Sequence, residues 1–416
     1  MSITRLGTAN MYDRTIHNIS RQQAELASQM EHASAGQKVI RASDDPVAAA
    51  QAERARTRMA RIETDQRMLD AQSATVKYGE STLGEINSAM QEFRGLIVNA
   101  GNGAYNQTER NTLVEQLQSL RAQILTYANR KDSNGLPLFR GLDTDASTPF
   151  PNGTQGMSSG QTNAGEYTIT NTLDGALAFF SGRTGNGVVQ VERDAASLGL
   201  SYSNVGTIQD PAAAGDFGTP ATDVTLVFSR DGNGDVIYTL SGGTYPAAPA
   251  TTGVYKSGDA IRVQGMDVVI TGEPFGKDLA GNEVFDSYTL SASQPQSIFE
   301  TLDAAIAAVR DGARPDGSTD VGALAQGLTQ SLAEIDTQLN RISTVRGVAG
   351  DLLNQAERMG TTLLARNEQM EAQRSAAEDI DMVAALSQLQ TQQTAVSAAL
   401  QSYASIQKLS LFNYIN

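Results

Sequence analysis

The sequence contains no cysteine and no tryptophan, and it has two histidines among its 416 residues. Without cysteine there can be no disulfide framework, zinc finger, iron–sulfur cluster or thiol nucleophile. Two histidines leave almost no material for a histidine metal site or a catalytic triad. No stretch approaches the roughly 18 continuous apolar residues of a membrane span, and the N-terminus lacks an apolar signal-peptide core. We therefore expect any export to use another route.

The negative charge of the chain is unevenly distributed. The formal net charge is −15, with +2 in residues 1–140, −11 in residues 141–296 and −6 in residues 297–416. The middle part also holds 23 of the 38 glycines. Strong acidity argues against a general nucleic-acid binder, whose affinity comes mainly from lysine and arginine. The middle of the chain is thus predicted to be a different kind of structure from the two ends.

Apolar residues recur at intervals of seven near both ends, which predicts long helices packed along a coiled-coil seam. The helix that carries the N-terminal repeat begins at the cap Asp44, Asp45 and Pro46 and ends near Gly101. The predicted helical rod seam consists of Ile62, Leu69, Val76, Leu83, Met90 and Ile97, with Leu328, Ile335, Ile342 and Leu363 in the C-terminal third. A further helix is predicted over residues 106–129.

The two termini each carry one amphipathic stripe that nothing nearby in the sequence covers. The predicted self-assembly interface consists of Ile16, Ile19, Leu26 and Met30 at the N-terminus, and Leu386, Leu389, Val396, Leu400 and Tyr403 at the C-terminus. Gln23, Gln393 and Gln407 are interpreted as polar steps in these stripes. An isolated helix of this kind is marginal in water. We expect it to pair with the other terminus, with another subunit, or with both, and we favour both.

The middle of the chain is predicted to be antiparallel β structure. Residues 224–240 form a hairpin around the turn Asp231–Asp235, and residues 261–270 form a second hairpin around Gln264 and Gly265. Residues 165–172 and 185–192 are predicted strands. The turn superficially resembles a calcium loop but lacks the Gly and Glu that an EF-hand needs at its sixth and twelfth positions. No constellation supports an enzyme, so no catalytic, cofactor-binding or metal residue is predicted, and no cofactor.

Several segments resemble a known family. ASAGQKVIRASDDPVAAAQAERA (33–55) is similar to a segment of the flagellin-like proteins, and the proline after the acidic pair resembles the hook–filament junction proteins, hook-associated proteins of type 3. LRAQILTYANRKDSNGLPLFRG (120–141), QSIFETLDAAIAAVRDG (296–312), the opening MSITRLGTANMYD and the ending YASIQKLSLFNYIN (403–416) resemble the same family. The resemblance covers residues 1–141 and 296–416 well and the middle only loosely.

The resemblance implies an α+β multidomain fold, with long terminal helices forming a coiled-coil, rod-like helical domain and an antiparallel β insert in the middle. Residues 1–43 and 376–416 would be terminal helices that are disordered in the monomer and pair on assembly. Residues 44–141 and 296–375 would form the helical rod-like domain. Residues 142–295 would form an outer β domain, with two subdomains as an alternative to one.

The function implied by the resemblance is that of a structural subunit joining the flagellar hook to the filament. Its partners would be further copies of itself, the first hook-associated protein, flagellin and an export chaperone, with no nucleic acid and no membrane insertion. It would be secreted by flagellar type III export and would lie at the hook–filament junction. The alternatives are a filament subunit of the flagellin type and an enzyme carried on the β insert.

Overall fold

The structure is a computed structural model, and it describes residues 8–415 except 104, 144–147, 157, 161–166, 171, 219–222, 244–250, 279 and 313–319, with side chains from 13 to 405 apart from 216 and 218. The helices are α1 (Thr8–Ala35), α2 (Pro46–Ala100), α3 (Gln107–Ala128), α4 (Gly175–Phe179), α5 (Pro211–Ala214), α6 (Ile298–Asp311), α7 (Val321–Glu378) and α8 (Met382–Ile415). The strands are β1 (Gly182–Arg183), β2 (Val189–Arg193), β3 (Tyr202–Ser203), β4 (Thr207–Ile208), β5 (Val224–Arg230), β6 (Val236–Gly242), β7 (Thr251–Val254), β8 (Ala260–Val263), β9 (Met266–Thr271), β10 (Phe275–Lys277), β11 (Glu283–Phe285), β12 (Ser287–Ala292) and β13 (Pro295–Gln296). Short 3-10 turns cover Pro151–Gly153 and Gly215–Gly218.

This arrangement confirms the predicted fold class, because long helices at both ends enclose a central region of antiparallel strands. The chain divides into two compact units, one of residues 1–68 and 358–416 and the other of residues 69–357. These limits differ from the predicted domain bounds, which stay a prediction. In the part of the chain that the structure describes, no helix is long and apolar enough to cross a membrane.

Two helices of the larger unit begin at capping boxes. The Asn106 side chain accepts a hydrogen bond from the Glu109 backbone N–H, and Glu109 accepts one from the Asn106 N–H in return. Ser297 and Glu300 form the same reciprocal pair at the start of α6. Such pairs satisfy backbone donors that a helix start leaves free, so both helices begin where their sequences specify.

Helix α3 packs against α6, and an aromatic cluster lies beside this contact. The Arg121 guanidinium binds the Asp303 carboxylate through two hydrogen bonds of 2.6 and 2.7 Å. The Phe179 ring lies edge-on to Phe150, with centroids 5.3 Å apart, and Phe299 is 6.4 Å from Phe179. Edge-to-face packing of aromatic rings stabilises more than their buried area alone. The cluster joins the start of the β region to the helix by which the chain returns from it.

The central strands form antiparallel sheets. The largest sheet has the strand order β2-β12-β5-β6-β7, and β9 pairs with β8, β3 and β4. The β5–β6 hairpin aligns Val224 with Gly242 and Phe228 with Tyr238, and the β8–β9 hairpin turns at Gln264 and Gly265, which both have positive φ. Both predicted hairpins are therefore confirmed. The side chains of alternate strand residues meet in one buried core.

One strand prediction is wrong. Among the described residues of the segment 165–172, none lies in a strand. The backbone N–H of Ile169 instead donates to the side-chain oxygen of Gln72 on α2, at 3.1 Å. In a strand this N–H group would bond to a neighbouring strand. Here a helix side chain satisfies it instead.

A buried carboxylate fixes the loop after β2 to the start of β12. Asp286 is fully buried, and its Oδ1 accepts hydrogen bonds from Arg193 at 3.0 Å and from the Gly199 N–H at 2.7 Å. Its other oxygen accepts the hydroxyl of Ser201, which lies 2.7 Å from the Tyr288 hydroxyl. Burial raises the pKa of Tyr288 well above its usual range. The charge of Asp286 is therefore compensated inside the core.

A row of polar side chains on α7 holds the β region by its backbone. The row steps by four, four, four and three residues, which places its members on one helical face: Gln326, Gln330, Glu334, Gln338 and Arg341. Gln326 accepts the Ser203 N–H at 2.6 Å, Glu334 accepts the Gly185 N–H at 3.0 Å, and Arg341 donates to the Ser181 carbonyl at 2.7 Å. Gln330 and Gln338 donate to the carbonyls of Val191 and Gln296. We name this row the polar ladder.

The polar ladder gives a pH-dependent prediction. Burial raises the pKa of Glu334, and the hydrogen bond from Gly185 offsets part of that increase. The folded chain therefore binds this proton more tightly than the unfolded chain, so the contribution of Glu334 to stability falls as pH rises from about 4.5 through the raised pKa. Glu334→Gln keeps an oxygen for Gly185 and removes the titration. Thermal unfolding should show a higher midpoint than the parent at pH 8 and the same midpoint at pH 4.

The matched control for this prediction is Glu368→Gln, because Glu368 lies on the same helix and is exposed. Its unfolding midpoint should follow the parent at both pH values. A Glu334→Gln chain that is less stable than the parent at pH 8 would mean that the carboxylate charge, rather than its hydrogen bond, stabilises the contact.

Candidate assembly surface

The two terminal helices pair with each other within one chain. The Gln392 side chain on α8 donates to Glu25 on α1 at 3.0 Å, and Gln37 pairs with Asp379 in an antiparallel bridge. The residue numbers therefore rise from Glu25 to Gln37 along the first segment while they fall from Gln392 to Asp379 along the second. Helices α1 and α8 are therefore antiparallel.

Five of the nine predicted interface residues face the partner helix. The residues turned towards the α1–α8 contact are Ile19, Leu26, Leu389, Val396 and Tyr403. Val396 is buried and the other four are half-buried. Their steps of seven on each helix are typical of an antiparallel helix pair with a continuous apolar seam.

The other four predicted interface residues remain exposed beside that seam. Ile16 is 45% exposed, Met30 is 50%, Leu386 is 54% and Leu400 is 44%. Gln23 and Gln393 lie between them at the same seven-residue spacing and are also exposed. We name the surface of Ile16, Gln23, Met30, Leu386, Gln393 and Leu400 the apolar flank.

Helix geometry places both halves of the apolar flank on the same side of the pair. Ile16 follows the half-buried Thr15 by one residue, and Leu386 likewise follows the half-buried Ala385. One residue is a turn of about 100° around a helix, in the same sense on both helices. Because the helices are antiparallel, this equal turn moves both stripes to the same side. The chain therefore presents one broad apolar surface and not two narrow ones.

The sequence pattern does not identify the polar members of the seam. Gln22, Gln29 and Gln392 are half-buried at the α1–α8 contact, whereas the predicted polar steps Gln23 and Gln393 are exposed. The side chain of Gln407, the third predicted step, lies outside the described side chains. The only sequence signal for these three glutamines is their position: each comes directly before a residue of the apolar flank.

A clasp joins the two helix breaks in the same unit. The Lys38 backbone N–H donates to the Glu378 carbonyl at 2.8 Å, and the Ile380 N–H donates to the Gly36 carbonyl at 3.1 Å. The nearly buried Glu378 carboxylate binds Arg56 at 2.5 Å and Arg374 at 3.3 Å. Hydrogen bonds between oppositely charged groups are the stronger ones, so the break between α1 and α2 and the break between α7 and α8 are tied together.

The predicted helix cap separates into two roles. Asp45 accepts hydrogen bonds from the backbone N–H groups of Val47 and Ala48 at 3.0 and 2.9 Å, which is the N-cap of α2, and Pro46 is its first residue. Asp44 instead accepts from the N–H groups of Ile40 and Arg41 in the preceding turn. The bond from Arg41 is the main reason that the pKa of Asp44 lies below its usual value.

The predicted rod-seam residues are buried with one exception. The buried members are Leu69, Val76, Leu83, Met90, Ile97, Leu328, Ile335, Ile342 and Leu363, whereas Ile62 is half-buried. In the unit of residues 69–357, Arg346 binds Glu80 at 2.6 Å and Arg94 binds Asp336 at 2.7 Å. These pairs show that α2 and α7 are antiparallel. Their side chains are partly exposed to solvent and lie beside the buried seam.

Comparison with known proteins identifies the family. The bacterial flagellin N-terminal helical region matches residues 7–144, and the bacterial flagellin C-terminal helical region matches residues 332–415. Together the two regions cover more than half of the chain. The chain therefore belongs to the flagellin family, whose members are structural proteins of the bacterial flagellum.

The relatives point to one branch of this family. Flagellar hook-associated protein 3 of Escherichia coli K12 is 26% identical over 98% of both chains, which confirms the predicted resemblance. The protein of the same name from Salmonella typhimurium is 35% identical over 44% of this chain, a match that spans about half (55%) of that relative. The flagellar junction protein FlgL from Legionella pneumophila is 25% identical, with a TM-score of 0.63 over 74% of this chain and 99% of that structure.

Replacing one rod-seam residue tests the importance of the seam. Leu83 is fully buried, so Leu83→Ala should lower the free energy of unfolding by about 2–5 kcal/mol. Urea unfolding followed by far-UV circular dichroism measures this loss. Leu364→Ala is the matched helical control, because Leu364 is 51% exposed, and it should change stability by no more than about 0.5 kcal/mol. Equal effects of the two substitutions would contradict a packed seam.

Proposed function

We propose that this chain is a structural subunit that joins the flagellar hook to the filament and assembles through its paired terminal helices. The observation that carries the proposal is the apolar flank on one side of the α1–α8 pair. The proposal is supported by the match to hook-associated protein 3 along nearly the whole of both chains. It leaves the flagellin-type filament subunit as the alternative.

The composition of α8 supports assembly through this surface. From Met382 to Ala404 the helix contains no Asp, Glu, Lys or Arg, although most of its side chains are exposed. A surface helix normally carries charged residues on its solvent side. An uncharged helix with an apolar stripe is suited to a site where protein, rather than water, covers it.

The proposed occupant of the apolar flank is a second copy of the same chain. Both halves of the flank carry the same pattern, two large apolar residues with a glutamine midway between them. Such surfaces can pack against copies of themselves, because apolar contacts are not directional and the glutamines can pair by hydrogen bonds. Repetition of this contact would produce a ring or layer of subunits.

The proposed domain roles are those that the family resemblance implies. We assign residues 1–43 and 376–416 to pairing on assembly, residues 44–141 and 296–375 to the helical rod-like domain, and residues 142–295 to the outer domain. Much of the negative charge, −11, lies in residues 141–296 and would keep the outer surface soluble. The terminal helices, which would gain little by folding without partners, would be disordered in the free monomer.

The proposed location and partners extend the family relationship. The subunit would be secreted by the flagellar export route with the help of an export chaperone, and it would lie at the hook–filament junction. Its neighbours would be further copies of itself, the first hook-associated protein and flagellin. Antibody labelling confined to the hook–filament boundary would support this location, whereas labelling along the whole filament would favour the flagellin alternative.

We further propose that the chain has no enzymatic activity. Among the described residues there is no group of three or more His, Asp or Glu side chains placed to hold a metal ion. The buried carboxylates Asp286, Glu334 and Glu378 each bind backbone groups or arginines that hold the fold together. This use of the buried carboxylates favours structural roles over acid–base chemistry.

Removing the C-terminal helix tests the role of the termini. A chain that ends at Asp379 lacks the whole of α8 and should fail to join the hook tip, so cells that carry it should be non-motile. The β region should stay folded, since its core consists of residues 189–290. Motility assays and near-UV circular dichroism measure the two effects. Normal filaments on cells that carry only the shortened chain would contradict the proposal.

A single substitution on the apolar flank gives a sharper test. Leu400→Asp places a charge on the surface that a second copy would cover, so it should weaken assembly at least tenfold while leaving the melting temperature of the monomer within about 2 °C. Sedimentation of the assembled protein measures the first effect. Leu200→Asp is the matched control, because Leu200 is 48% exposed and lies in the β region. It should assemble like the parent, and an equal loss in both variants would contradict the assignment.

A further inference from the structure

We infer that Gln22 and Gln29 keep the α1–α8 pair within one chain weak, so that the two helices become stably paired only when a second copy covers the apolar flank. This inference rests on the proposed function and deepens it. It assigns to two named residues the coupling between folding of the termini and assembly.

The two glutamines lie where their side-chain oxygens are poorly placed for hydrogen bonds. Their side-chain Oε1 atoms are shielded from solvent and receive no hydrogen bond from the described residues. By contrast, Gln392 on the opposite helix has a partner, Glu25. A shielded amide oxygen that loses its water and gains no donor destabilises the state in which it is shielded. The α1–α8 pair therefore carries this cost twice.

The two glutamines belong to one seven-residue series on α1. Thr15, Gln22 and Gln29 follow each other at intervals of seven and are all half-buried. On α8, the corresponding seven-residue series is Ala385, Gln392 and Ala399, which are small or polar. Large apolar side chains are thus limited to the alternate seam positions of each helix.

The α2–α7 seam shows what a strong pairing in the same fold contains. Its series Leu69, Val76, Leu83, Met90 and Ile97 is apolar throughout and buried. Because helix pairs are stabilised mainly by burial of apolar side chains, the α1–α8 pair has less stabilisation for each turn.

The apolar flank, rather than this seam series, carries large apolar side chains. Ile16, Met30, Leu386 and Leu400 are about half exposed in the single chain. A second copy that covers them adds apolar burial that offsets the two unpartnered oxygens. Pairing within a chain is then conditional on pairing between chains, which limits folding of the ends before assembly.

Hydrogen exchange on the full chain tests this inference. In dilute solution, below the concentration at which it assembles, the Gln22→Leu/Gln29→Leu variant should protect the backbone amides of residues 13–33 and 383–403 by roughly tenfold for each substitution relative to the parent. Its assembly, measured by sedimentation, should be less dependent on concentration, because its ends are already paired. The single variant Gln29→Leu, with roughly tenfold greater protection than the parent, covers the case in which the double variant aggregates.

The matched control is Gln388→Leu/Gln401→Leu, since both glutamines lie on α8 and are exposed. It makes the same chemical change twice outside the seam and should leave amide protection unchanged. Equal protection in the seam variant and the parent, or an equal rise in the control, would overturn the inference.

The assembly measurement separates this inference from the proposed function. Raised protection together with an unchanged concentration dependence would show that the glutamines weaken the pair without coupling it to assembly, and it would leave the proposed function standing. A parent chain that does not assemble would contradict the proposed function itself, and with it the coupling.

Discussion

Burial of a seven-residue apolar repeat between antiparallel helices is the interaction on which the larger unit depends. Helices α2 and α7 are far longer than an ordinary globular helix, at 55 and 58 residues, and neither could rely on intrinsic helix propensity alone. Residues such as Leu83 and Ile342 are removed from water at every second turn. The Arg346–Glu80 and Arg94–Asp336 pairs are partly exposed, so they contribute to register more than to stability.

The β region also depends on helix α7, through hydrogen bonds to its main-chain groups. The polar ladder of α7 binds main-chain groups at Ser203, Gly185 and Ser181, so the helix holds the insert by atoms that every residue possesses. Side chains at the contacted positions can therefore differ without loss of these bonds, provided that the space remains. At Gly185 it does not, because this residue has positive φ and a Cβ atom there would collide with the Val189 carbonyl oxygen. The ladder thus lets a structural helix hold the insert mainly through main-chain groups.

The terminal helices use the same repeat with a different distribution of side chains. In α2 and α7 the apolar residues lie in the seam, whereas in α1 and α8 they are divided between the seam and the apolar flank. A pair built this way gives up part of its own stability and retains a surface for another chain. For a flagellar subunit that works through its contacts, the chemistry lies in the placement of Leu, Ile, Met and Gln rather than in reactive groups.

The sequence by itself determined the boundaries of α2 and α3, the apolar repeats and the two hairpins, because these follow from local signals. Asp45 and Pro46 start α2, and Gln264 and Gly265 turn β8 into β9. It could not determine which stripe of a terminal helix faces its partner. Thr15, Gln22 and Gln29 repeat every seven residues, and so do Ile16, Gln23 and Met30, so one period describes both series. Only the position of α8 selects the polar series for the seam and leaves the other exposed. The polar ladder and the Asp286 network were equally undetermined, because their partners are separated by 42 residues or more along the chain and meet only after folding.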